Sequence, residues 1–474
     1  MEAEEIRHEP RSAGDPQAAG PPCGRRRRPC ARVGAASRGT SPRRGRGSGY
    51  GGLRRAGGLR DDALADDYWE ESEAETRRQR RPAAPWWGSP TSALDRATAF
   101  VPALLAERFE ELGLDFSIIY PSVGLMFAQH EDDAMRIGGC RALNRYLAEL
   151  VAADRQRLTA SALIPMKTPG EAIEGIDHAL DELGLRCVSI ASWVRRSGPT
   201  GPWADVFGID CDEDYDRVWR HCLDRGVAVT AHGGSMGFGF RQSPSRYMFN
   251  HVGHFAAASE ALAKALFFGG VTKRFPELPF AFLEGGVAWG AQLLADLQGR
   301  WDKRGGPNIE QLDPARLDRA RFHELLSKYG GVGFARQDAQ DDATRMGSAR
   351  PEELDEFHLC GIGERADLAR RFVPSFYFGC EADDPFVGLA YDERLIPGGE
   401  PLKPIFGSDV GHWDVTDMRG VLPEAFELVE KGILDADRFR SFTADNAISL
   451  HTALNPDFFE GTTLESYARA RRVA

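Results

Sequence analysis

Three side chains that can bind a metal ion or move a proton each follow an apolar segment of the sequence. His232 and Glu284 are each followed by two glycines, and Asp409 ends the segment Ile405-Phe-Gly-Ser-Asp409. Imidazoles and carboxylates are common ligands of divalent cations, and carboxylates also act as general acids or bases. We therefore predict that His232 and Asp409 bind metal and that Asp409 and Glu284 transfer protons. The alternatives are a satisfied turn residue for His232, a helix N-cap for Asp409 and a partner of a buried arginine for Glu284.

Four further side chains near these residues are predicted to contact a substrate: His254, Arg241, His412 and Trp413. An arginine can hold a substrate carboxylate, and aromatic rings near strand ends favour a planar or apolar substrate. His251 and His254 are three residues apart, which suits one face of a turn, where they can bind a metal or a carboxylate or cap a helix. Loop packing is the alternative for each of these residues.

A group of carboxylates closes another apolar segment, at Glu381, Asp383 and Asp384. At least one of them is predicted to shape the electrostatics of a site. A dense group of carboxylates with few lysines is what a divalent cation would offset.

The apolar segments that precede these residues predict buried strands separated by amphipathic helices. The predicted strands are Asp115–Ser122, Leu158–Met166, Leu185–Ser192, Gly226–Gly234, Leu278–Gly286, Pro374–Asp384 and Pro404–Asp414. The predicted helices between them include Pro102–Leu112, Thr168–Leu183, Asp214–Arg225 and Ser259–Phe268. This alternation predicts an α/β fold, a (β/α)8 TIM barrel, in which chemistry takes place at the C-terminal ends of the strands. One strand, the first, is missing or replaced, and the charged interval at about 287–372 is predicted to be a helical insertion between strands six and seven.

Charge and composition divide the chain into three predicted regions. Residues 1–60 contain fourteen arginines and five acidic residues, a net charge of +9, whereas the whole chain carries −12 and the other residues therefore −21. The Arg/Gly/Pro-rich residues 1–60 are predicted to be disordered, residues 61–101 to hold a helix and a loop with Trp86 and Trp87, and residues 102–474 to form the barrel. An Arg-rich tail can bind nucleic acid, but the acidic body argues against nucleic acid as the main partner.

The sequence also bears on the cellular compartment. No apolar segment approaches the roughly 18 residues of a membrane helix, and the N-terminus has no apolar core of a secretory signal. The eight cysteines are scattered without a CxxC motif. This pattern favours reduced thiols, so the chain is predicted to be cytoplasmic.

Several of these segments resemble the amidohydrolase superfamily, in the subgroup of aminocarboxymuconate-semialdehyde decarboxylase and the resorcylate-type decarboxylases. The resemblance extends from about Trp86 to Phe459 and is most specific over Phe268–Gly286, with further similarity at Phe406–Asp409 and Asn446–Leu450. It implies that His232 and Asp409 bind metal. Because the fourth strand ends without a lysine, it implies one divalent ion, zinc or manganese.

The sequence departs from this family pattern in two places. Glu284 stands where the subgroup usually has a catalytic histidine, and the His-x-His or Glu-x-His pair of the first strand is absent. We hypothesise that a wrong reading frame or start has replaced the first strand within residues 1–60. Recovery of this Arg-rich peptide from cells by mass spectrometry would refute that hypothesis.

The resemblance implies a metal-dependent carboxy-lyase, a non-oxidative decarboxylase acting on a small carboxylated substrate that is aromatic or enoic. A metal-dependent hydrolase of the same fold is an alternative, because both reactions need a Lewis acid and a proton carrier. A catalytically impaired barrel that serves in binding or assembly is the third alternative. The expected partner is a small molecule rather than a membrane, and the prediction allows a homodimer.

Overall fold

Seven strands form one parallel sheet, and two more form an antiparallel hairpin. The computed structural model describes residues 72–83, 92–334, 336, 338–339, 355–412 and 414–472. The strands are, in chain order, β1 (Ser117–Ile119), β2 (Leu158–Ile164), β3 (Cys187–Ile190), β4 (Val194–Gly198), β5 (Gly201–Asp205), β6 (Val229–Ala231), β7 (Phe280–Phe282), β8 (Phe376–Cys380) and β9 (Lys403–Phe406). The order in the sheet is β1-β2-β3-β6-β7-β8-β9, and β4 pairs with β5. All neighbours in the seven-stranded sheet are parallel.

The strand predictions and the α/β class are confirmed, although each observed strand is shorter than its predicted segment. Within the described residues, β1 and β9 each pair with a single neighbour, so the sheet is a curled half-barrel of seven strands. The eighth strand and the limits of the insertion remain predictions. The Arg-rich segment 1–60, Trp86, Trp87 and Trp413 lie outside the described residues.

Helices alternate with the strands of the sheet, as the sequence predicts. Those in the described residues include α1 (Glu73–Arg78), α2 (Ala93–Phe100), α3 (Pro102–Glu107), α4 (Phe109–Leu112), α5 (Asp133–Val151), α6 (Pro169–Asp177), α7 (Asp216–Asp224), α8 (Tyr247–His251), α9 (His254–Phe268), α10 (Val271–Arg274), α11 (Ala288–Arg304), α12 (Arg319–Tyr329), α13 (Glu356–Leu359), α14 (Ala366–Ser375), α15 (Val421–Glu430), α16 (Ala436–Arg440), α17 (Asn446–Thr452) and α18 (Glu465–Arg472). Local sequence sets some of these boundaries. The Thr168 hydroxyl accepts the Glu171 amide at the start of α6, where proline occupies the first turn. No helix in these ranges is both long and apolar enough to span a bilayer.

Two predicted helices are interrupted. The predicted helix Pro102–Leu112 is divided into α3 and α4 at Arg108, whose buried guanidinium contacts Asp95 at 2.8 Å. The predicted helix Thr168–Leu183 is α6 followed by a π-helical turn at His178–Glu182.

The sheet is covered on both faces, which explains why its strands are almost wholly apolar. Phe280 and Phe282 of β7 are fully buried in the main core, to which α9 and α11 also contribute. The alternate residue Ala281 points to the opposite face and packs in a second cluster with Tyr377 and Leu450. Leu450 belongs to α17, so the C-terminal segment fills this second face.

The C-terminal segment binds the edge of the sheet where the strands begin. The Asn446 side-chain amide donates to the Pro404 carbonyl at 2.7 Å, at the start of β9. The Thr463 amide donates to the carbonyl of Gln156 at 2.9 Å, two residues before β2. The opposite edge, where the strands end, therefore carries the predicted chemical groups, as in a TIM barrel.

Candidate metal centre and active site

His232 directly follows β6, Glu284 lies two residues after the end of β7, and Asp409 lies three residues after the end of β9. The register aligns the last residue of β6, Ala231, with the last residue of β7, Phe282. Because aligned parallel strands end at one edge, side chains that follow them converge there. The His232 amide donates to the Ile190 carbonyl of β3 at 2.9 Å, which extends the ladder to the edge of the site.

His232 and Glu284 contact each other. The Nε2 atom of His232 lies 2.9 Å from Oε2 of Glu284, and the two side chains are 13% and 12% exposed. The ring of Phe255 packs edge-on against the imidazole, with 5.0 Å between ring centroids. The imidazole is therefore fixed between a carboxylate and an aromatic ring.

A second ion pair is centred on His412. Its Nδ1 atom lies 3.1 Å from Asp409 Oδ2 and 2.9 Å from Asp414 Oδ1. Burial lowers the pKa of His412, but contacts with these two carboxylates outweigh burial and raise it to about 10. The ring is thus cationic at neutral pH and partly balances the surrounding negative charge.

Glu284, Asp409 and His412 form a group with the geometry of a cation site. One potential ligand atom from each residue lies within 4.8 Å of the other two. Two carboxylate oxygens and one imidazole nitrogen suit zinc and manganese, so this donor set fits the ion that the sequence predicts. The structure brings His412, predicted as a substrate contact, next to the predicted metal ligand Asp409. Their separation of three residues, on one face of a turn, is the signal in the sequence for this proximity.

Both carboxylate residues of this group have an unusual backbone. Glu284 has φ of 58° and Asp409 has φ of 44°, in the left-handed region that glycine tolerates best. Such conformations cost of order 1–3 kcal/mol each and cluster at functional sites. These two turns aim the carboxylates across the edge of the sheet at an energetic cost to the fold.

His254 forms a wall of the site beside His232. It is 5% exposed, and neither ring nitrogen makes a hydrogen bond within the described residues. Burial, followed by the neighbouring His251 and His232, lowers the pKa of His254 to about 3, so this ring is neutral. Gly234 makes room for it, because a Cβ atom at this position would lie 2.0 Å from Nδ1 of His254.

Glu381, immediately after β8, adds a carboxyl group of unusual acidity. Burial first, and then the charges of Asp414, Glu284 and Asp409, raise its pKa to about 7. Glu381 can therefore hold or release a proton near neutral pH. Glu381 is one of the three carboxylates that the sequence predicts to shape the electrostatics of a site.

The family model described as amidohydrolase matches residues 107–330. The amidohydrolase resemblance is confirmed. Among curated proteins, no sequence matches the chain.

Solved structures of amidohydrolases and decarboxylases are similar to this chain. An amidohydrolase from Mycobacterium avium subsp. paratuberculosis K-10 is 17% identical, with 74% of each chain covered and a TM-score of 0.46. A dihydroxybenzoic acid decarboxylase from Polaromonas sp. JS666, with bound manganese and the inhibitor 2-nitroresorcinol, is 15% identical, with 73% of this chain and 85% of that chain covered and a TM-score of 0.47. The 5-carboxyvanillate decarboxylase of Sphingomonas paucimobilis is 14% identical, with coverage of 73% and 81% and a TM-score of 0.38.

The amidohydrolase match includes part of the site. It contains His232, His254 and Glu284 but ends before Asp409 and His412. Within the matched region, Arg241 donates from Nη2 to the Gly253 carbonyl at 3.0 Å, next to His254.

Proposed function

We propose that this chain is a metal-dependent carboxy-lyase, which removes carbon dioxide from a small carboxylated compound that is aromatic or enoic. The observation that carries the proposal is the group of Glu284, Asp409 and His412, whose ligand atoms lie within 4.8 Å at the strand ends. The confirmed amidohydrolase resemblance supports a metal-dependent reaction. The resemblance of the sequence to decarboxylases of that superfamily selects decarboxylation.

Glu284, Asp409 and His412 would hold one divalent ion, zinc or manganese. Such an ion supplies a Lewis acid that polarises a bound substrate or acidifies water. Direct binding by His232, which the sequence predicts, stays a prediction. Without an ion, the positive charge of His412 offsets part of the negative charge of Asp409 and Asp414.

Decarboxylation breaks the bond between the carboxyl carbon and the substrate, and the electron pair stays on the substrate carbon. A proton must then reach that carbon as carbon dioxide leaves. The sequence assigns proton transfer to Asp409 and Glu284. Glu381 is a third candidate, because a carboxyl group with a pKa of about 7 exists in both protonation states near neutral pH.

Arg241, His254, His412 and Trp413 are proposed to contact the substrate. Arg241 Nε is buried and makes no hydrogen bond within the described residues, so it can donate to a substrate carboxylate. His254 offers a neutral imidazole in a wall of the site, which can bind a hydroxyl or carboxyl group without adding charge.

Hydrolysis is the second candidate reaction at the same site. Glu381 favours it. Because burial and neighbouring negative charges raise the pKa of Glu381 to about 7, this carboxylate could accept a proton from water. The two reactions differ in their products: decarboxylation releases carbon dioxide, whereas hydrolysis adds an oxygen from water.

The deciding experiment uses protein reconstituted with Mn²⁺ or Zn²⁺ and a panel of hydroxybenzoates and unsaturated carboxylic acids in ¹⁸O-labelled water. We expect carbon dioxide release in a 1:1 ratio with substrate loss, and Asp409→Asn should abolish it. Label in the organic product without carbon dioxide would establish hydrolysis instead. Metal retention below roughly 0.2 ions per chain, without turnover, would favour the binding-protein alternative.

The cellular setting belongs to the same proposal. The six cysteines in the described part of the chain are free, and five of them are buried. Free thiols suit the reducing cytoplasm that the sequence predicts. A homodimer is compatible with the proposal and is tested by the mass of the protein in solution.

A further inference from the structure

A cavity of about 480 Å³ lies away from the candidate metal centre, between α11, the start of α14 and the loop before β9. Gly399 of this loop precedes the start of β9 by four residues, whereas Asp409 follows the end of β9 by three. The cavity therefore lies towards the edge of the sheet where the strands begin. Its volume is within the range of about 300–1,000 Å³ that small-molecule sites occupy.

The wall that α11 contributes to this cavity contains a buried hydrogen-bond acceptor without a partner. Gln298 is 3% exposed, and its Oε1 atom makes no hydrogen bond within the described residues. Leaving a buried acceptor without a donor destabilises the fold, so such atoms are usually satisfied by water or by a ligand. Gln298 can therefore accept a hydrogen bond from a group inside the cavity.

Charged side chains of both signs line the cavity around this acceptor. Arg365, directly before α14, donates from Nε to Asp302 Oδ1 at 2.9 Å, so its two terminal nitrogens are left to bind an anion. The loop adds one carboxylate and one guanidinium, those of Glu393 and Arg394. The lining thus carries two acidic and two basic residues, and it can bind both ends of a molecule that is positive at one end and negative at the other.

The loop wall is held against α14 and presents one apolar side chain. Ile396 is 3% exposed and anchors the loop in the main core. Gly398 has φ of 91°, and a Cβ atom at this position would lie 3.0 Å from Cβ of Ala369 in α14. Leu395 lines the cavity and is 62% exposed. The backbone is therefore fixed on one side of the loop, while Leu395 is left to contact an apolar group.

We propose that this cavity binds a small zwitterion, an α-amino acid with an apolar side chain. Its carboxylate would contact Arg365, its ammonium group would donate to Gln298 Oε1 and Glu393, and its side chain would pack on Leu395. An anion alone would leave the acceptor of Gln298 unsatisfied, and a cation alone would leave Arg365 unused. The inference is independent of the proposed function, because none of these residues belongs to the candidate metal centre.

Calorimetric titration of the full-length protein with L-leucine, L-methionine and L-phenylalanine tests the proposal. We expect saturable binding of one amino acid per chain. For L-leucine, two analogues should bind at least about tenfold more weakly: 4-methylpentanoate, which lacks the ammonium group, and isoamylamine, which lacks the carboxylate. Absence of binding by all three amino acids, or equal affinity for L-leucine and its two analogues, would overturn the proposal.

Variants locate the bound amino acid. Arg365→Gln and Glu393→Gln each remove one charged partner and should weaken binding at least about tenfold. Gln298→Met keeps the size of the buried side chain but removes the acceptor, and it should also weaken binding while the unfolding temperature stays close to that of the unmodified protein. The matched control is Arg370→Gln, in α14, because Arg370 pairs with Glu364 at 2.9 Å and does not line the cavity. This control should bind L-leucine with unchanged affinity.

Two outcomes would overturn the location of the site. Equal losses in Arg365→Gln and Arg370→Gln would show a general effect of charge on α14 rather than a contact with the amino acid. Binding that is lost in Asp409→Asn but retained in Arg365→Gln would place the amino acid at the candidate metal centre. We expect the reverse, with binding retained in Asp409→Asn.

Discussion

At the scale of single residues, the site concentrates negative charge around very few cations. Glu284, Asp409, Asp414 and Glu381 lie at the strand ends, with His412 as the cation that contacts two of them. In a partly buried site, neighbouring negative charges raise the pKa of a carboxyl group, whereas a nearby positive charge lowers it. Burial first, and then these neighbouring negative charges, raise the pKa of Glu381 to about 7.

The pKa of Glu381 should therefore respond to its neighbours. After burial, Asp414 is the largest cause of its elevation to about 7. Asp414→Asn removes that negative charge, so we expect the pKa of Glu381 in the metal-free protein to fall. Carbon-13 nuclear magnetic resonance of labelled glutamate measures it, and Asp177→Asn serves as a distant control. An unchanged pKa in Asp414→Asn would contradict this electrostatic account.

A single glycine should determine the position of His254. A Cβ atom at Gly234 would lie 2.0 Å from Nδ1 of His254, so Gly234→Ala must displace the ring. We expect a loss of about 1–3 kcal/mol in the free energy of unfolding, as in other overpacked cores. Gly138→Ala, in α5, is the matched control, because nothing lies within 4 Å of its Cβ position. The control should be neutral or stabilising, since alanine favours helix. Equal effects of the two substitutions in denaturant unfolding would argue against the packing.

At the scale of elements, a buried ion pair joins two helices of the described region. Arg136 of α5 and Glu171 of α6 form two hydrogen bonds, of 3.0 and 2.7 Å, and their side chains are 2% and 5% exposed. Glu171 also accepts the backbone amide of Lys167, in the loop after β2. The pair therefore fixes the start of α6 relative to both α5 and the strand.

Breaking this pair should be far more damaging than breaking an exposed one. Glu171→Ala leaves the buried guanidinium of Arg136 without its main partner, and we expect a loss of about 3–5 kcal/mol of unfolding free energy. Glu260→Ala breaks the half-exposed pair with Lys264, at 3.1 Å, and should cost at most about 0.5 kcal/mol. Urea unfolding of both variants tests the difference. A loss below about 1 kcal/mol for Glu171→Ala would mean that Arg136 is satisfied by its other contacts.

At the scale of the whole molecule, the C-terminal segment ties the beginnings of the strands together and fills one face of the sheet. His451 of this segment is fully buried and stacks on Phe458, with 4.5 Å between ring centroids. Burial lowers its pKa to about 4. The unfolded chain therefore binds a proton at a higher pH than the folded protein does.

This difference predicts acid sensitivity with a definite sign. Because the folded pKa is depressed, the stability is complete above the unfolded value of about 6.5 and is lost as the pH falls towards 4. Between pH 7 and pH 5, His451 should account for about 2 kcal/mol of lost stability. Denaturant unfolding at both pH values should show a smaller loss in His451→Gln than in the unmodified protein. Equal losses would show that other groups dominate the acid response.

The sequence predicted the parts of the molecule that depend on local pattern. Apolar segments ending in His232-Gly-Gly and Glu284-Gly-Gly located two strands and the residues at their ends. The hairpin of β4 and β5 was not predicted, because Arg195 and Arg196 interrupt an apolar pattern and the pairing is antiparallel. Which side chains touch, such as His232 and Glu284, depends on the register between distant segments, and no local pattern encodes that register.

The left-handed backbone at Glu284 and Asp409 lowers the stability of the fold, whereas the carboxylates at these two positions serve the proposed reaction. Glycine at either position would adopt the same φ without strain, and it would also remove a carboxylate from a crowded negative site. A screen that rewards only thermal tolerance should therefore enrich glycine at these two positions and deliver robust, inert proteins. Selection for catalytic activity would favour the acidic residues instead. In an evolution experiment that alternates selection for thermal stability with selection for activity, positions 284 and 409 should therefore be the first to change between glycine and the acidic residue.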